Sequence, residues 1–375
     1  MEKSYIWTLP TRIFHLLFAL FICFAFVTDD DRLLTYHAII GYVILILLIF
    51  RLVWGIIGPK YSLFKDFPLG IDNVKKFASS MLSGKSEYTG HNPIASYVMI
   101  GMLVVAFMTI LSGILTYGIQ EGKGILSFLN MSLFNKMDIF EEIHEFFANL
   151  LLVLIITHIS GVILDKILHK RNKTLNSIFT GYKMTTEYEN IQLNIYQKLV
   201  ALIIFLCLIV FLAFNISTPK NILTASIYDK TNYKQENALF VSECASCHIL
   251  YPPNILPQKS WVAMMSDLEN HFGDDASLSE KDNQEILTYL VNNSAENSTK
   301  EVSIKILQYS QKYPDKEILA FSQTGFWKDT HLSIPENVFR QDTIKNKSNC
   351  KACHIDIEEG LIEDDKIKNI NSFIG

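Results

Sequence analysis

Between Trp7 and Phe214 the chain alternates five long apolar stretches with polar segments, and beyond Asn215 that pattern stops. The stretches are Trp7–Val27, Ala38–Ile57, Ile94–Tyr117, Ile143–Leu164 and Tyr196–Phe214. Each approaches the roughly 20 mostly apolar residues that cross a bilayer core as a helix. One such stretch could be a buried core helix, but five have no soluble core to enclose them. The first is not read as a cleavable signal, because Asp29, Asp30 and Asp31 follow Val27 where a small-residue cleavage site would stand. The pattern predicts an all-α chain with a polytopic four-helix domain over 1–190, a fifth crossing at 191–216 acting as a tether, and a soluble, mostly helical domain over 217–375.

Basic residues orient this map, since they gather in cytoplasmic loops. Segment 59–92 carries Lys60, Lys65, Lys75, Lys76 and Lys85, and segment 165–195 carries Lys166, Lys170, Arg171, Lys173 and Lys183. The other two connections are poorer, with Arg32 in one and Lys123 and Lys136 in the other. The amino terminus is therefore expected in the cytoplasm, and the carboxy-terminal domain outside a bacterial inner membrane. The 49% apolar content fits this division. A net charge of -5 with no basic stripe argues against a nucleic-acid partner.

Of the six cysteines, Cys23 and Cys207 stand alone in apolar stretches, where a small buried hydrophobe is the expected role. The other four form Cys244-Ala-Ser-Cys247-His248 and Cys350-Lys-Ala-Cys353-His354, both C-x-x-C-H. Two thiols one helical turn apart reach the two vinyl groups of one haem, and the following histidine comes under the iron. Zinc or a redox dithiol are the alternatives, but neither requires a histidine after both pairs. Covalent haem is attached outside the bacterial cytoplasmic membrane, which agrees with the topology from charge. A sixth ligand would make each haem an electron carrier. His271 and His331 are the remaining histidines of this domain, and Met264 and Met265 compete for the first haem. Gln258–Phe272 reads as an amphipathic helix with Trp261, Met264, Met265 and Leu268 on one stripe, a pattern more often core than ligand. Phe272-Gly273 would then stop the helix beside His271.

Histidine is costly inside a bilayer and marks function there by default. His15, His37, His144 and His158 qualify. The last two are 14 residues apart, about 21 Å along one helix and only about 40° apart around it. Counting depth from the helix ends pairs His15 with His158 at the inner level and His37 with His144 at the outer level. Two stacked non-covalent b haems would satisfy all four histidines. His91 and His169 fall in the cytoplasmic flanks and are read as solvated. Arg12 and Arg51 are either snorkelling anchors or partners of a haem propionate or a quinone. Trp7, Trp54 and Tyr36 suit the interfacial belt.

The run from Trp261 through Asp267-Leu268-Glu269-Asn270-His271-Phe272-Gly273-Asp274-Asp275-Ala276-Ser277-Leu278 to Tyr289-Leu290, with Trp327 and His331 further on, resembles the periplasmic dihaem cytochrome c family. The resemblance covers roughly Glu236–Glu359 and implies two bis-histidine c haems. Residues 5–185 resemble the bacterial cytochrome b561 and nickel-iron hydrogenase cytochrome b subunit family. That resemblance rests on Trp7-Thr8-Leu9-Pro10-Thr11-Arg12-Ile13-Phe14-His15, His37-Ala38-Ile39-Ile40-Gly41-Tyr42, Arg51-Leu52-Val53-Trp54-Gly55, Gly90-His91-Asn92-Pro93, Ile143-His144-Glu145 and His158-Ile159-Ser160-Gly161. It implies a four-helix haem-binding core with ligands on the first, second and fourth helices, and membrane quinone as redox partner. The fifth helix and the dihaem tail depart from that family and put a simple hydrogenase role in doubt.

The expected function is electron transfer between membrane quinol or quinone and a periplasmic partner. The alternatives are the cytochrome subunit of a periplasmic oxidoreductase complex, or a haem reductase with one open site. The acidic run Asp356-Ile357-Glu358-Glu359-Gly360-Leu361-Ile362-Glu363-Asp364-Asp365 could steer a basic partner to the second haem, or be a solvated tail.

Overall fold

In the computed structural model, residues 2–81, 88–131, 139–168, 173–363 and 366–367 are described. Among them, five helices are long and apolar enough to cross a membrane. These are α1 (Leu9–Val27), α2 (Leu34–Ile57), α4 (Pro93–Ile119), α5 (Ile139–Leu168) and α7 (Ile195–Ser217). All five predicted stretches are present, each extended or trimmed by a few residues. Between them lie two short helices, α3 (Ile71–Met81) and α6 (Thr174–Thr180).

The chain forms two compact units: 1–30 with 35–116 and 139–224, and 31–34 with 117–138 and 225–375. In the first unit, Ile22, Ile44, Leu48, Ala106, Ile110 and Leu151 form one core shared by α1, α2, α4 and α5. A second core joins Phe14, Val43, Leu47, Phe50 and Trp54 of α1 and α2 to Ala201 and Leu208 of α7. The fifth helix is thus part of the bundle and more than a tether. Asn194 and Gln197 close a capping box at its start, and Gln197 donates to the Ile57 carbonyl at the end of α2.

Three sequence expectations change here. Cys23 and Cys207 are exposed on their helices, because a membrane bundle turns apolar residues outward as readily as inward. Trp7 and Trp54 are buried, their indoles donating to Ser177 Oγ at 3.0 Å and Thr11 Oγ1 at 2.9 Å; of the three aromatics, Tyr36 alone is well exposed. A small antiparallel sheet was not anticipated: β1 (Glu2–Tyr5) pairs with β2 (Tyr182–Thr185) in the register Glu2↔Thr185 to Tyr5↔Tyr182.

The second unit is built from short helices: α8 (Tyr233–Glu236), α9 (Ala238–Cys244), α10 (Gln258–Ser266), α11 (Glu280–Asn292), α12 (Glu301–Lys312), α13 (Gly325–Thr330) and α14 (Glu336–Phe339). Tyr233, Phe240, Trp261, Met265, Ile286, Leu290 and Ile306 centre its core. α10 ends at Ser266, earlier than the stripe suggested, and a 3-10 turn over Leu268–Asn270 carries the chain to His271. Segment 117–131 joins this unit by backbone: Gly124 donates to the Ala225 carbonyl and Ile227 to that of Gly122. Lys123 pairs with Glu363 at 2.9 Å and lies 3.9 Å from Glu121. Burial works against the Lys123 charge, but Glu363 and Glu121 raise its pKa overall.

Candidate haem sites

Eight histidines come together as four pairs. Ring centroids are 6.3 Å apart for His15 and His158, 6.1 Å for His37 and His144, 6.2 Å for His248 and His271, and 6.1 Å for His331 and His354. Two imidazoles bonded to opposite sides of one metal, at about 2 Å through a nitrogen about 1 Å from its ring centre, have centroids about 6 Å apart. All four spacings meet that figure. Among the described residues no group of three His, Cys, Asp or Glu side chains is placed to hold a metal, and the histidines stand in twos. The residues fit a haem, whose own ring supplies the other four bonds.

The surrounding backbone aims several of these rings. A ligating histidine usually anchors its second ring nitrogen on a carbonyl, which fixes tautomer and orientation. His37 Nδ1 lies 3.1 Å from the Ala25 carbonyl, and His144 Nδ1 lies 2.9 Å from that of Thr109. His248 Nδ1 and His331 Nδ1 do the same with Ile249 and Trp327, at 2.6 and 2.8 Å. His331 is also stacked on Trp327, centroids 4.3 Å apart and planes 14° from parallel. Gly113 of α4 faces His144 so closely that a Cβ there would lie 2.8 Å from the imidazole.

His271 occupies the place beside His248. Met265 is buried in the core and Met264 packs against it. His271 is delivered by a turn in which Phe272 adopts φ 52° and Gly273 φ 101°. A bulky side chain at positive φ is unfavourable by about 1–2 kcal/mol and is found mainly where function demands it. Burial pushes the Cys244 and Cys350 thiols up to about 11, the reverse of what a redox dithiol needs. Burial, then the neighbouring His331, lowers His354 to about 4, leaving the neutral imidazole that binds metal.

The two C-x-x-C-H segments are neighbours. Leu250 donates to Glu358 at 3.2 Å, and Tyr251, whose ring packs on His248, donates to the Ser348 carbonyl. The family model of prokaryotic cytochrome b561 matches residues 6–181, and that of dihaem cytochrome c matches residues 240–362. The chain is a cytochrome b561 domain joined to a dihaem cytochrome c domain. Solved structures similar to the second domain include a dihaem cytochrome c from Rhodobacter sphaeroides, with 34% identity over 36% of this chain and 99% of that one and a TM-score of 0.30. Another is a dihaem cytochrome c from Shewanella baltica OS155, with 31% identity over 37% and 95% and a TM-score of 0.29. No curated protein matches the chain. This cytochrome b561–dihaem cytochrome c chain is a multi-pass membrane protein of haem-based electron transfer.

Other sequence candidates fall differently. Arg12 donates to the Phe179 carbonyl at 2.6 Å and Arg51 to that of Ser62 at 3.1 Å, with Arg51 also over the Phe64 ring; Arg12 ties the start of α1 to the end of α6, and Arg51 ties α2 to the loop that follows it. His91, expected in solvent, is instead clamped between the rings of Trp7 and Phe67, each 4.8 Å away. The local signal was Asn92-Pro93, a cap and first-turn proline that start α4 and fix the residue before them. The acidic run is not a free tail: Asp356 is buried and bound to Lys366, Glu358 pairs with Lys351, Glu359 with Lys230, and Glu363 with Lys123. Lys85, Lys136, His169, Lys170, Arg171, Asp364 and Asp365 lie outside the described residues.

Proposed function

We propose that the chain is a transmembrane electron conduit between the quinone pool and a periplasmic redox partner. The observation that carries this reading is one spacing, 6.1–6.3 Å, built four times in two domains from unrelated elements. His15 with His158 and His37 with His144 would hold two b haems. His248 with His271 and His354 with His331 would complete two c haems, attached through Cys244 and Cys247 and through Cys350 and Cys353. When bound, each haem supplies a one-electron carrier whose potential follows its ligands and their hydrogen bonds. The protein's part would be to supply two histidines to each haem and fix their rings, an arrangement that suits electron transfer. That favours a conduit over a reductase with an open haem. The basic loops support an inner-membrane orientation with 217–375 outside.

Pyridine haemochrome analysis of the purified protein is expected to give equal b and c content. One b to two c would remove one membrane pair. In stopped-flow mixing, a quinol should reduce b before c. If quinol leaves the c haems oxidised while a reduced periplasmic donor reduces c and then b, the chain is a quinone reductase and the proposed direction is reversed.

Gly113 gives a separate check. Gly113→Ala forces a methyl against His144, and the ring must leave its anchor on the Thr109 carbonyl. Loss of such an orienting contact typically costs 10–100-fold in metal affinity, so the outer b haem should be depleted while the inner b haem and both c haems stay. Full retention of b haem would show that His144 is not held by this contact.

A further inference from the structure

In the dihaem domain one side chain touches the ligand of the first C-x-x-C-H motif and the turn that carries the second. Tyr251 stands three residues after His248, half-buried against the domain core. The buried pair Pro252-Pro253 follows it, and the fixed φ of proline leaves the backbone there little freedom. The Tyr251 ring lies 5.1 Å from that of His248, with the planes 51° apart, and its hydroxyl donates to the Ser348 carbonyl. The same carbonyl accepts the Cys350 N–H at 2.9 Å, and the Cys350 carbonyl accepts the His354 N–H at 2.8 Å. An unbroken series of contacts therefore runs from the histidine after one cysteine pair to the histidine after the other. The acceptor is held in place as well: Asn346 Oδ1 takes the N–H groups of Ser348 and Asn349 at 2.9 and 3.1 Å, and Asn349 Nδ2 donates to the Ile344 carbonyl at 2.9 Å. A phenylalanine would pack beside the imidazole equally well, so the reach across to Ser348 is what the hydroxyl adds. Leu250 makes a parallel tie, its N–H donating at 3.2 Å to Glu358, which pairs with Lys351.

We infer that Tyr251 is the positioning residue that couples the two c-haem sites, its ring fixing the His248 imidazole and its hydroxyl tying that imidazole to the turn that carries Cys350. The role rests on the conduit reading proposed above, to which it adds a residue between two of the sites. Exchange of one electron between them makes and breaks no bond and moves no proton: one side is oxidised by one electron as the other is reduced. Its rate depends on how firmly the two sides are held and on what lies between them, because electronic overlap passes more readily through bonds and hydrogen bonds than across a gap. The ring has an effect of its own. His248 is held at Nδ1 by the Ile249 carbonyl at 2.6 Å and beside it by Tyr251, and its plane lies 29° from that of His271, whereas His331 and His354 are crossed at 67°. The angle between two axial imidazoles sets the g-anisotropy of a low-spin ferric haem. Electron paramagnetic resonance should therefore tell the two c haems apart, and the first should report any turn of the His248 ring.

The test uses the full-length holoprotein, with one electron per chain injected by flash photoreduction from a flavin donor and its redistribution between the c haems followed by the difference in their α-bands. Tyr251→Phe keeps the ring beside His248 and removes only the donor to Ser348. It is expected to slow redistribution about tenfold, with c-haem content and both ferric low-spin signals unchanged. Tyr251→Leu should slow it at least as much and also shift the g-values of the haem between His248 and His271. Glu358→Ala cuts the parallel tie through Leu250 but leaves the Tyr251 contacts, so redistribution there should stay within about twofold of wild type. An unchanged rate in Tyr251→Phe, or equal slowing in Glu358→Ala, would overturn the role given to Tyr251. Should Tyr251→Leu fail to retain haem, the other two variants still decide. A wild-type protein whose c haems show no redistribution at all would instead overturn the conduit reading itself.

Discussion

His158→Ala is expected to strip the inner b haem from the membrane domain and leave the outer one in place. The two histidines of α5 are 14 residues apart, about 21 Å along the helix, and each meets a partner on a different helix, His15 on α1 for His158 and His37 on α2 for His144. Sites that far apart with no shared partner behave independently. Even an orienting contact is worth 10–100-fold in metal affinity, so loss of an axial ligand should lower occupancy of the inner site by about 100-fold or more. The measurement is the b-to-c ratio by pyridine haemochrome, expected to fall from one to about one half, with the remaining b haem still low-spin. Simultaneous loss of both b haems would mean that the pairs are wrongly assigned or that the bundle depends on the inner haem to fold.

His331→Ala should convert one c haem fully to high spin without releasing it. Thioether bonds through Cys350 and Cys353 would not depend on His331, so the haem should remain on the chain. His331 is a well-defined ligand candidate: its N–H and Nδ1 both reach the Trp327 carbonyl, and its ring stacks on the buried Trp327. Trp327 itself is held by the Thr324 cap at the start of α13. A truncated side chain at 331 leaves this support intact, so the change should be confined to the iron. Low-temperature electron paramagnetic resonance should show a new high-spin signal at unchanged total c haem, and the reduced protein should bind carbon monoxide. An unaltered spectrum would mean that another side chain is the ligand at this site.

The presence of the five membrane helices, the shared face of His144 and His158 and both C-x-x-C-H motifs were legible in the sequence, because each depends on local spacing alone. A span is a count of apolar residues, a haem attachment motif is a covalent requirement over five positions, and the shared face of His144 and His158 follows from helical pitch. The tertiary structure decided what depends on residues far apart in the chain. Ser4 and Thr185 meet at 2.6 Å across 181 residues, closing the β1–β2 pair that brings Lys183 to the turn before His91, and no local pattern shows that this flanking histidine is enclosed. Packing of α7 against α1 and α2, the outward facing of Cys23 and Cys207, and the ion pairs that occupy the acidic run are likewise set by which surfaces meet. Hydropathy registers that a residue is apolar or charged, but only the fold determines whether its neighbour is lipid, water, an opposite charge or another ring.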